Sequence, residues 1–165
     1  MKKIVFAALS FLLLLTSCTK EATIGMGTGT ATISANVDGQ SMTYNVNAKA
    51  VRINVPGAYS VEVVGYKSSS SSDQIAISLT GISPIGTGTY SENNANGINV
   101  ATINLIDGGS QTFVNSNSVT NPSSVTITSI TSSSIKGTFK GDIFLSGSSS
   151  STKKVLSEGQ FSISF

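Results

Sequence analysis

Hydrophobic and polar side chains alternate with a period of two along most of this chain. In residues 31–37, for example, alanine, isoleucine and valine alternate with threonine, serine and asparagine. Side chains two apart in a strand share one face, so this pattern predicts strands with one buried and one exposed face. Further runs occur at 42–48, 51–55, 59–67, 75–80, 98–106, 112–114, 125–130, 135–145 and 155–165. We therefore predict an all-β fold, an antiparallel β-sandwich or partly closed barrel of roughly ten strands.

Turn residues separate these runs. Asp38-Gly39 predicts a hairpin between 31–37 and 42–48, and Pro56-Gly57 ends the following run. A serine tract, Ser68 to Ser72, predicts a mobile loop. In a sandwich the loops supply many ligand contacts, and the candidate loops are 68–73, 91–97 and 147–152.

The N-terminus has a different pattern. Two lysines after Met1 precede an apolar run, 4–15, that is too short to span a bilayer as a stable helix. This layout is typical of a secretory signal peptide. We therefore expect three parts: a signal peptide (1–17), a segment that begins with Cys18 and continues as a flexible spacer (18–29), and a single all-β domain (30–165).

The end of the apolar run, Leu15-Thr16-Ser17-Cys18, resembles the lipobox of bacterial lipoproteins. This resemblance implies cleavage between Ser17 and Cys18 and acylation of Cys18. Cys18 is the single cysteine of the chain and has no disulfide partner within it. Two or more acyl chains hold a protein firmly to a membrane, so we expect a lasting anchor. Thr19 provides no aspartate-type inner-membrane retention signal, which favours the outer membrane, with the domain facing the periplasm or the cell surface.

Charge and composition exclude several functions. Cleavage would remove two of the ten basic residues, leaving eight basic and eight acidic side chains and no basic stripe for nucleic acid. The chain has no histidine, which excludes histidine-based catalytic triads and ordinary zinc sites. We predict no metal and no cofactor.

Serine–lysine pairs and carboxylate pairs are the remaining candidate catalytic groups. Ser133-x-x-Lys136 and Ser151-x-x-Lys154 match a serine–lysine motif that requires a helix to place the lysine beside the serine. Carboxylate pairs can hydrolyse glycosides. The candidates here fall in predicted turns and loops (Asp38, Asp73, Glu92, Asp107), on predicted exposed strand faces (Glu62, Asp142) and near the C-terminus (Glu158). We predict no catalytic residue, and we therefore expect that the protein is not an enzyme.

The aromatic residues give the candidate ligand contacts. Tyr59 and Tyr66 are the candidates for an exposed aromatic platform, although core or edge packing is the favoured role for both. The alternation directs Tyr44 and Tyr90 to the core. Three triplets place glycine two residues before a ring, which predicts that each ring covers its own strand's glycine. They are Gly88-Thr89-Tyr90, Gly137-Thr138-Phe139 and Gly159-Gln160-Phe161.

The terminal 161–165 run also resembles the last strand of outer-membrane barrels. Most runs are shorter than the roughly ten residues that a spanning strand needs, so we expect Phe161, Ile163 and Phe165 to fill a sandwich core.

Several segments together resemble a family of small uncharacterised Bacteroidetes lipoproteins. The similar segments are 35–39, 86–90, 125–128, 135–139 and 158–161. The resemblance implies a lipobox followed by an all-β domain with no assigned activity. Family members usually have a tryptophan soon after the first turn, where this chain has Met42 or Tyr44.

These observations predict an envelope lipoprotein held in the membrane by its lipid. The first functional hypothesis is a non-catalytic binding or accessory module for a glycan, a lipid or a partner protein. The alternative is a structural or adhesive surface component that assembles through strand edges.

Overall fold

The computed structural model describes residues 30–92, 99–115, 120–147 and 152–165. Within these ranges the chain forms eleven β-strands and no helix. The strands are β1 (Thr32–Val37), β2 (Gln40–Thr43), β3 (Val46–Val55), β4 (Ala58–Tyr66), β5 (Gln74–Gly81), β6 (Gly88–Ser91), β7 (Asn99–Asp107), β8 (Gln111–Val114), β9 (Ser124–Ile130), β10 (Ser134–Leu145) and β11 (Lys153–Ser164). The all-β prediction is confirmed, and most strands lie within a few residues of the alternating runs.

All strands belong to one antiparallel sheet that curls into a half-barrel. Along the sheet the order is β2-β1-β11-β10-β8-β7-β5-β4-β3, and β9 pairs with both β10 and β6. The long strand β10 pairs with β9 along its first part and with β8 at its end. Gly141 lies between these two parts and has a φ of 132°, a conformation that favours glycine. The curl encloses the core on its concave side.

The core is formed by every second side chain of the strands, as the alternation predicts. Its largest fully buried members include Phe113, Ile33, Ile75, Ile77, Leu79, Ile103, Leu105, Ile127, Ile135 and Ile143. Phe161 and Ile163 are also buried, and Phe165 packs against the core at its edge. This placement confirms the prediction that the last strand fills the core.

The first hairpin forms as predicted, but its second strand is shorter than the sequence pattern indicates. Asp38 and Gly39 both have positive φ, as the tight turn between β1 and β2 requires. At Asn45 the side-chain Oδ1 accepts a hydrogen bond from the backbone N–H of Ile33 at 2.7 Å, so a side chain takes the place of a backbone partner. Beyond this point the chain no longer pairs with β1. Residues 46–48, predicted to continue the hairpin, instead begin β3, which pairs with β4.

The turn from β2 to β3 connects the two strands at the opposite ends of the sheet order. The backbone N–H of Tyr44 donates to the Ile33 carbonyl at 2.8 Å. From the other side, Gly65 of β4 lies so close that a Cβ atom there would be 2.0 Å from the Tyr44 carbonyl oxygen. Only a residue without a side chain permits this approach. Gly65 therefore closes one corner of the half-barrel.

Candidate functional site

The predicted lipid-attachment residue lies outside the described residues. Cys18, Ser17 and the spacer up to residue 29 belong to the part of the chain for which no structure is described. Within the described ranges, no helix has the length and hydrophobicity needed to cross a membrane. Acylation of Cys18 stays a prediction from the sequence.

Tyr59 and Tyr66 cannot form one aromatic platform. Inward and outward positions alternate along β4, where Val61 and Val63 are buried and Glu62 is exposed. Tyr59 therefore lies on the inner face and packs against the core, whereas Tyr66 lies on the outer face. Tyr66 borders a shallow outer depression of about 270 Å³ on β3, β4 and β5.

Of the three candidate loops, the structure describes 68–73 in full. In the 68–73 loop, the Asp73 Oδ1 atom accepts a hydrogen bond from the Gly109 N–H at 2.9 Å, and Ser72 Oγ donates to the Gly109 carbonyl at 3.3 Å. The serine tract is thus attached to the β7–β8 turn. Most of the 91–97 and 147–152 loops lies outside the described residues.

Asp142 was predicted on an exposed strand face, and this prediction is wrong. The residue is 2% exposed, and its carboxylate bridges two other side chains. Lys153 Nζ contacts Oδ2 at 2.6 Å, and Asn121 Nδ2 donates to Oδ1 at 2.7 Å. Along β10, Asp142 keeps the outward parity of Lys136 and Lys140, and Ile143 beside it is in the core. Asp142 is buried because the 120–123 segment covers it, with the Asp142 N–H donating to the Asn121 carbonyl at 3.0 Å and Ser123 Oγ donating to the Asp142 carbonyl at 2.9 Å.

The hydrogen bonds of the Asp142 cluster set its charge state. Burial alone would raise the pKa of Asp142, but the hydrogen bonds from Lys153 and Asn121 outweigh burial and lower it. The Asp142 carboxylate and the Lys153 ammonium form an ion pair. The cluster therefore holds the 120–123 segment against β10 and β11.

A second charged cluster lies at one end of the half-barrel. Lys154 Nζ contacts Asp107 Oδ2 at 2.8 Å and Asp38 Oδ2 at 3.6 Å, and lies 5.2 Å from the centre of the Phe113 ring. The hydrogen bond to Lys154 lowers the pKa of Asp107. Burial, assisted by the negative charges of Asp107 and Asp73, raises the pKa of Tyr44 to about 12. These contacts connect the β1–β2 turn, β7 and β11.

The two clusters predict a loss of stability in acid. The pKa values of Asp107 and Asp142 lie below the ordinary 3.8 in the folded state, so the unfolded chain binds protons first as the pH falls. Their contribution to the free energy of unfolding is present above 3.8 and is lost as the pH drops through the lower folded values. Urea unfolding between pH 6 and pH 3 should show this loss, with a shallower pH dependence in Asp107→Asn. Equal stability at both ends of the range would contradict it.

Rings do cover glycines, but across strands and not within one strand. Gly137 pairs with Phe161, and Gly159 pairs with Phe139, on the adjacent strands β10 and β11. A Cβ at Gly137 would lie 2.5 Å from Phe161 Cζ, and one at Gly159 would lie 2.6 Å from Phe139 Cδ2. The two rings stack with centroids 6.5 Å apart. The reason is geometric, because directly paired residues lie closer together than residues i and i+2 of one strand.

The third triplet behaves differently. Gly88 has a φ of 144° and no atom within 4 Å of a built Cβ. Tyr90 is half-buried, and its hydroxyl donates to the Gly86 carbonyl at 2.9 Å and accepts from the Gly86 N–H at 3.0 Å. Tyr90 therefore fixes the segment that leads into β6, and the prediction that its ring covers Gly88 is wrong.

The outer face of β9, β10 and β11 carries a groove of about 350 Å³. Its side chains are almost all polar. The lining residues are Ser124, Thr126, Thr138, Phe139, Lys140, Glu158, Gly159 and Gln160. The charged members are Lys140 and Glu158, and the Glu158 Oε2 atom accepts a hydrogen bond from Asn36 Nδ2 at 2.7 Å.

Three residues of the groove, Thr126, Thr138 and Gln160, belong to a longer line of polar side chains, which we call the polar row. Cross-strand pairing places one hydroxyl or amide on each of six adjacent strands. Its members in order are Thr89, Thr126, Thr138, Gln160, Ser34 and Thr43. Thr89 Oγ1 and Thr126 Oγ1 lie 2.9 Å apart. With adjacent strands about 4.8 Å apart, the polar row extends over roughly 24 Å.

The first serine–lysine motif, Ser133 and Lys136, does not lie on a helix. Ser133 lies in the β9–β10 turn, with its Oγ 3.4 Å from Thr131 Oγ1, and Lys136 lies on a strand, where positions i and i+3 do not share a face. Ser151 lies outside the described residues. Among the residues that are described, no group of three or more histidine, cysteine, aspartate or glutamate side chains is placed to hold a metal ion.

The groove was missed in the sequence because its residues look like ordinary exposed strand positions. The available signal was the composition of the outward positions of β9 and β10, which are mainly threonine, serine and lysine. Which of these positions become neighbours depends on strand order, and alternation alone does not specify strand order.

Comparison with known proteins adds no family. No protein-family model matches this chain, and no curated protein or solved structure is similar to it. The resemblance to small Bacteroidetes lipoproteins stays a prediction from the sequence.

Proposed function

We propose that this protein is a lipid-anchored envelope lipoprotein that binds a glycan through the groove on β9, β10 and β11. The observation that carries the proposal is the lining of this groove, in which threonine, serine and glutamine side chains point outward together. Hydroxyl and amide groups both donate and accept hydrogen bonds, as sugar hydroxyls do. The groove also has a volume within the range of small-molecule sites.

Binding and not catalysis is the activity that these residues support. The groove contains one carboxylate, Glu158, whereas glycoside hydrolysis uses a pair of carboxyl groups on either side of the bond. The two most constrained carboxylates, Asp107 and Asp142, are engaged by lysines at other places in the fold. A non-catalytic module that holds the cell, or another envelope protein, near a glycan fits this arrangement.

Substitutions in the groove test the proposal. Thr138→Val keeps the shape of the side chain and removes its hydroxyl, and Gln160→Ala removes the neighbouring amide. We expect each change to lower the affinity for an oligosaccharide about fivefold, the equivalent of one hydrogen bond. Binding would be measured with full-length protein in detergent on an array of purified oligosaccharides.

The matched control is Thr80→Val on β5, another exposed threonine on the outer face of the sheet but away from the groove. We expect it to bind as the wild type does. Absence of binding to all the oligosaccharides, or equal losses in Thr138→Val and Thr80→Val, would contradict a glycan site in the groove.

The lipid anchor requires its own measurement. Intact cells would be treated with protease, and the released and retained fragments would be analysed by mass spectrometry. A retained, acylated Cys18 peptide with release of the domain supports an anchored protein on the cell surface. Release only after the outer membrane is broken supports a periplasmic domain, and an unmodified Cys18 contradicts the anchor.

A second candidate function is assembly through strand edges, and one observation favours it. Among the described residues β3 pairs only with β4, so the second edge of this ten-residue strand has no ladder hydrogen bonds to another strand. An unpaired edge is a template for strand addition. Sedimentation of the full-length protein separates the two candidates, since edge assembly predicts a mass that rises with concentration.

A further inference from the structure

We infer that the glycan bound in the groove is anionic, with carboxylate or sulfate groups that contact Lys140 in the groove and Lys136, which lies beyond the groove on the same face of β10. This inference rests on the proposed function and specifies the class of ligand. The two lysines lie four residues apart on β10, and both are exposed on the outer face. Four residues of a strand span roughly 13 Å.

The charges of these two lysines are available to a ligand. Lys67, Lys153 and Lys154 each form an ion pair with an aspartate. Among the described residues, no carboxylate forms an ion pair with Lys136 or Lys140. A positive charge without a partner on an exposed face attracts anions, and the attraction is stronger at low salt.

Hydrogen-bonding side chains surround both lysines. Lys140 pairs with Ser124 of β9, while Lys136 pairs with Ser162 of β11. Thr138 lies between the two lysines and belongs to the polar row. A sugar chain laid along β10 would thus meet a cation, a hydroxyl and a second cation in sequence. This order fits a saccharide with acidic groups separated by neutral hydroxylated rings.

Removing the negative charge of Glu158 should strengthen binding of an anionic ligand, whereas removing a lysine charge should weaken it. The Glu158 carboxylate lines the groove on the β11 side and accepts a hydrogen bond from Asn36. It should repel an anionic ligand and accept hydrogen bonds from a neutral one. Glu158→Gln is therefore expected to strengthen binding of an acidic oligosaccharide by up to about fivefold, whereas it would not strengthen binding of a neutral one.

The experiment uses full-length protein in detergent and an oligosaccharide array that contains matched pairs, each pair differing only in a carboxylate or sulfate group. We expect stronger binding to the acidic member of a pair, with an affinity that falls as salt is added. Lys136→Gln and Lys140→Gln should each weaken this binding by up to about fivefold. Lys49→Gln is the matched control, because Lys49 is also exposed, on the outer face of β3.

The outcomes separate the inference from the proposed function. Equal or stronger binding to the neutral members overturns the anionic ligand and leaves the glycan site in place. Equal losses in Lys49→Gln and Lys140→Gln indicate a general effect of charge and also overturn the inference. If no oligosaccharide binds, the proposed function itself fails.

Discussion

Gly65→Ala is expected to lower the free energy of unfolding by at least about 3 kcal/mol. The added Cβ would lie 2.0 Å from the Tyr44 carbonyl oxygen and 2.8 Å from Ile33 Cδ1. The first of these atoms belongs to the backbone at the turn from β2 to β3, which cannot move without breaking the Tyr44–Ile33 hydrogen bond. Urea unfolding of the purified variant measures the loss, which is a large fraction of the stability of a typical domain.

The control for this substitution is Gly86→Ala. Gly86 has no atom within 4 Å of a built Cβ and does not have a positive φ. An alanine there should change stability by no more than about 0.5 kcal/mol. A loss below about 1 kcal/mol in Gly65→Ala would mean that β4 does not approach Tyr44 as closely as described. It would contradict the contact between Gly65 and the Tyr44 carbonyl that closes this corner of the half-barrel.

Phe161→Ala is expected to cost about 3–5 kcal/mol. The ring is 3% exposed, covers Gly137 on the neighbouring strand and stacks on Phe139. Its removal would leave a cavity in the core and expose the bare backbone of a glycine. No side chain at position 137 can fill that space, because a Cβ there would also lie 2.4 Å from the Thr126 carbonyl.

Phe165→Ala is the comparison, since this ring lies only partly buried at the edge of the core. We expect it to cost less than half as much as Phe161→Ala when both are measured by chemical unfolding. In the double variant Phe139→Ala/Phe161→Ala, the loss should be smaller than the sum of the single losses, because the two rings contact each other. Additive losses, or equal losses in the Phe161 and Phe165 variants, would contradict the stacked arrangement.

Much of the fold follows from the period of two. The alternation in residues 125–130, 135–145 and 155–165 predicts β9, β10 and β11 closely, and Asp38-Gly39 predicts the first turn. Each of these features depends on neighbours in the chain. A face buried in the core and a turn that needs positive φ both leave a local signal.

The features that the sequence did not reveal depend on contacts between distant segments. Asn45 ends the first hairpin by accepting a side-chain hydrogen bond from the Ile33 N–H, and the 120–123 segment buries Asp142 on the outer side of β10. Phe161 covers Gly137 only because β10 and β11 pair in one particular register. The groove on β9, β10 and β11 has the same origin. Thr126, Thr138 and Gln160 become neighbours through strand order, which alternation does not encode.

The central claim is that the outer face of β9, β10 and β11 contacts a glycan. The most direct test is to record the amide chemical shifts of the full-length protein in detergent micelles. An oligosaccharide that binds on the array is added during the recording. We predict that the amide signals of Thr126, Thr138 and Gln160 shift, while the signal of Thr80 on β5 stays in place. Shifts confined to the outer face of β3, β4 and β5, around Tyr66, would contradict the account.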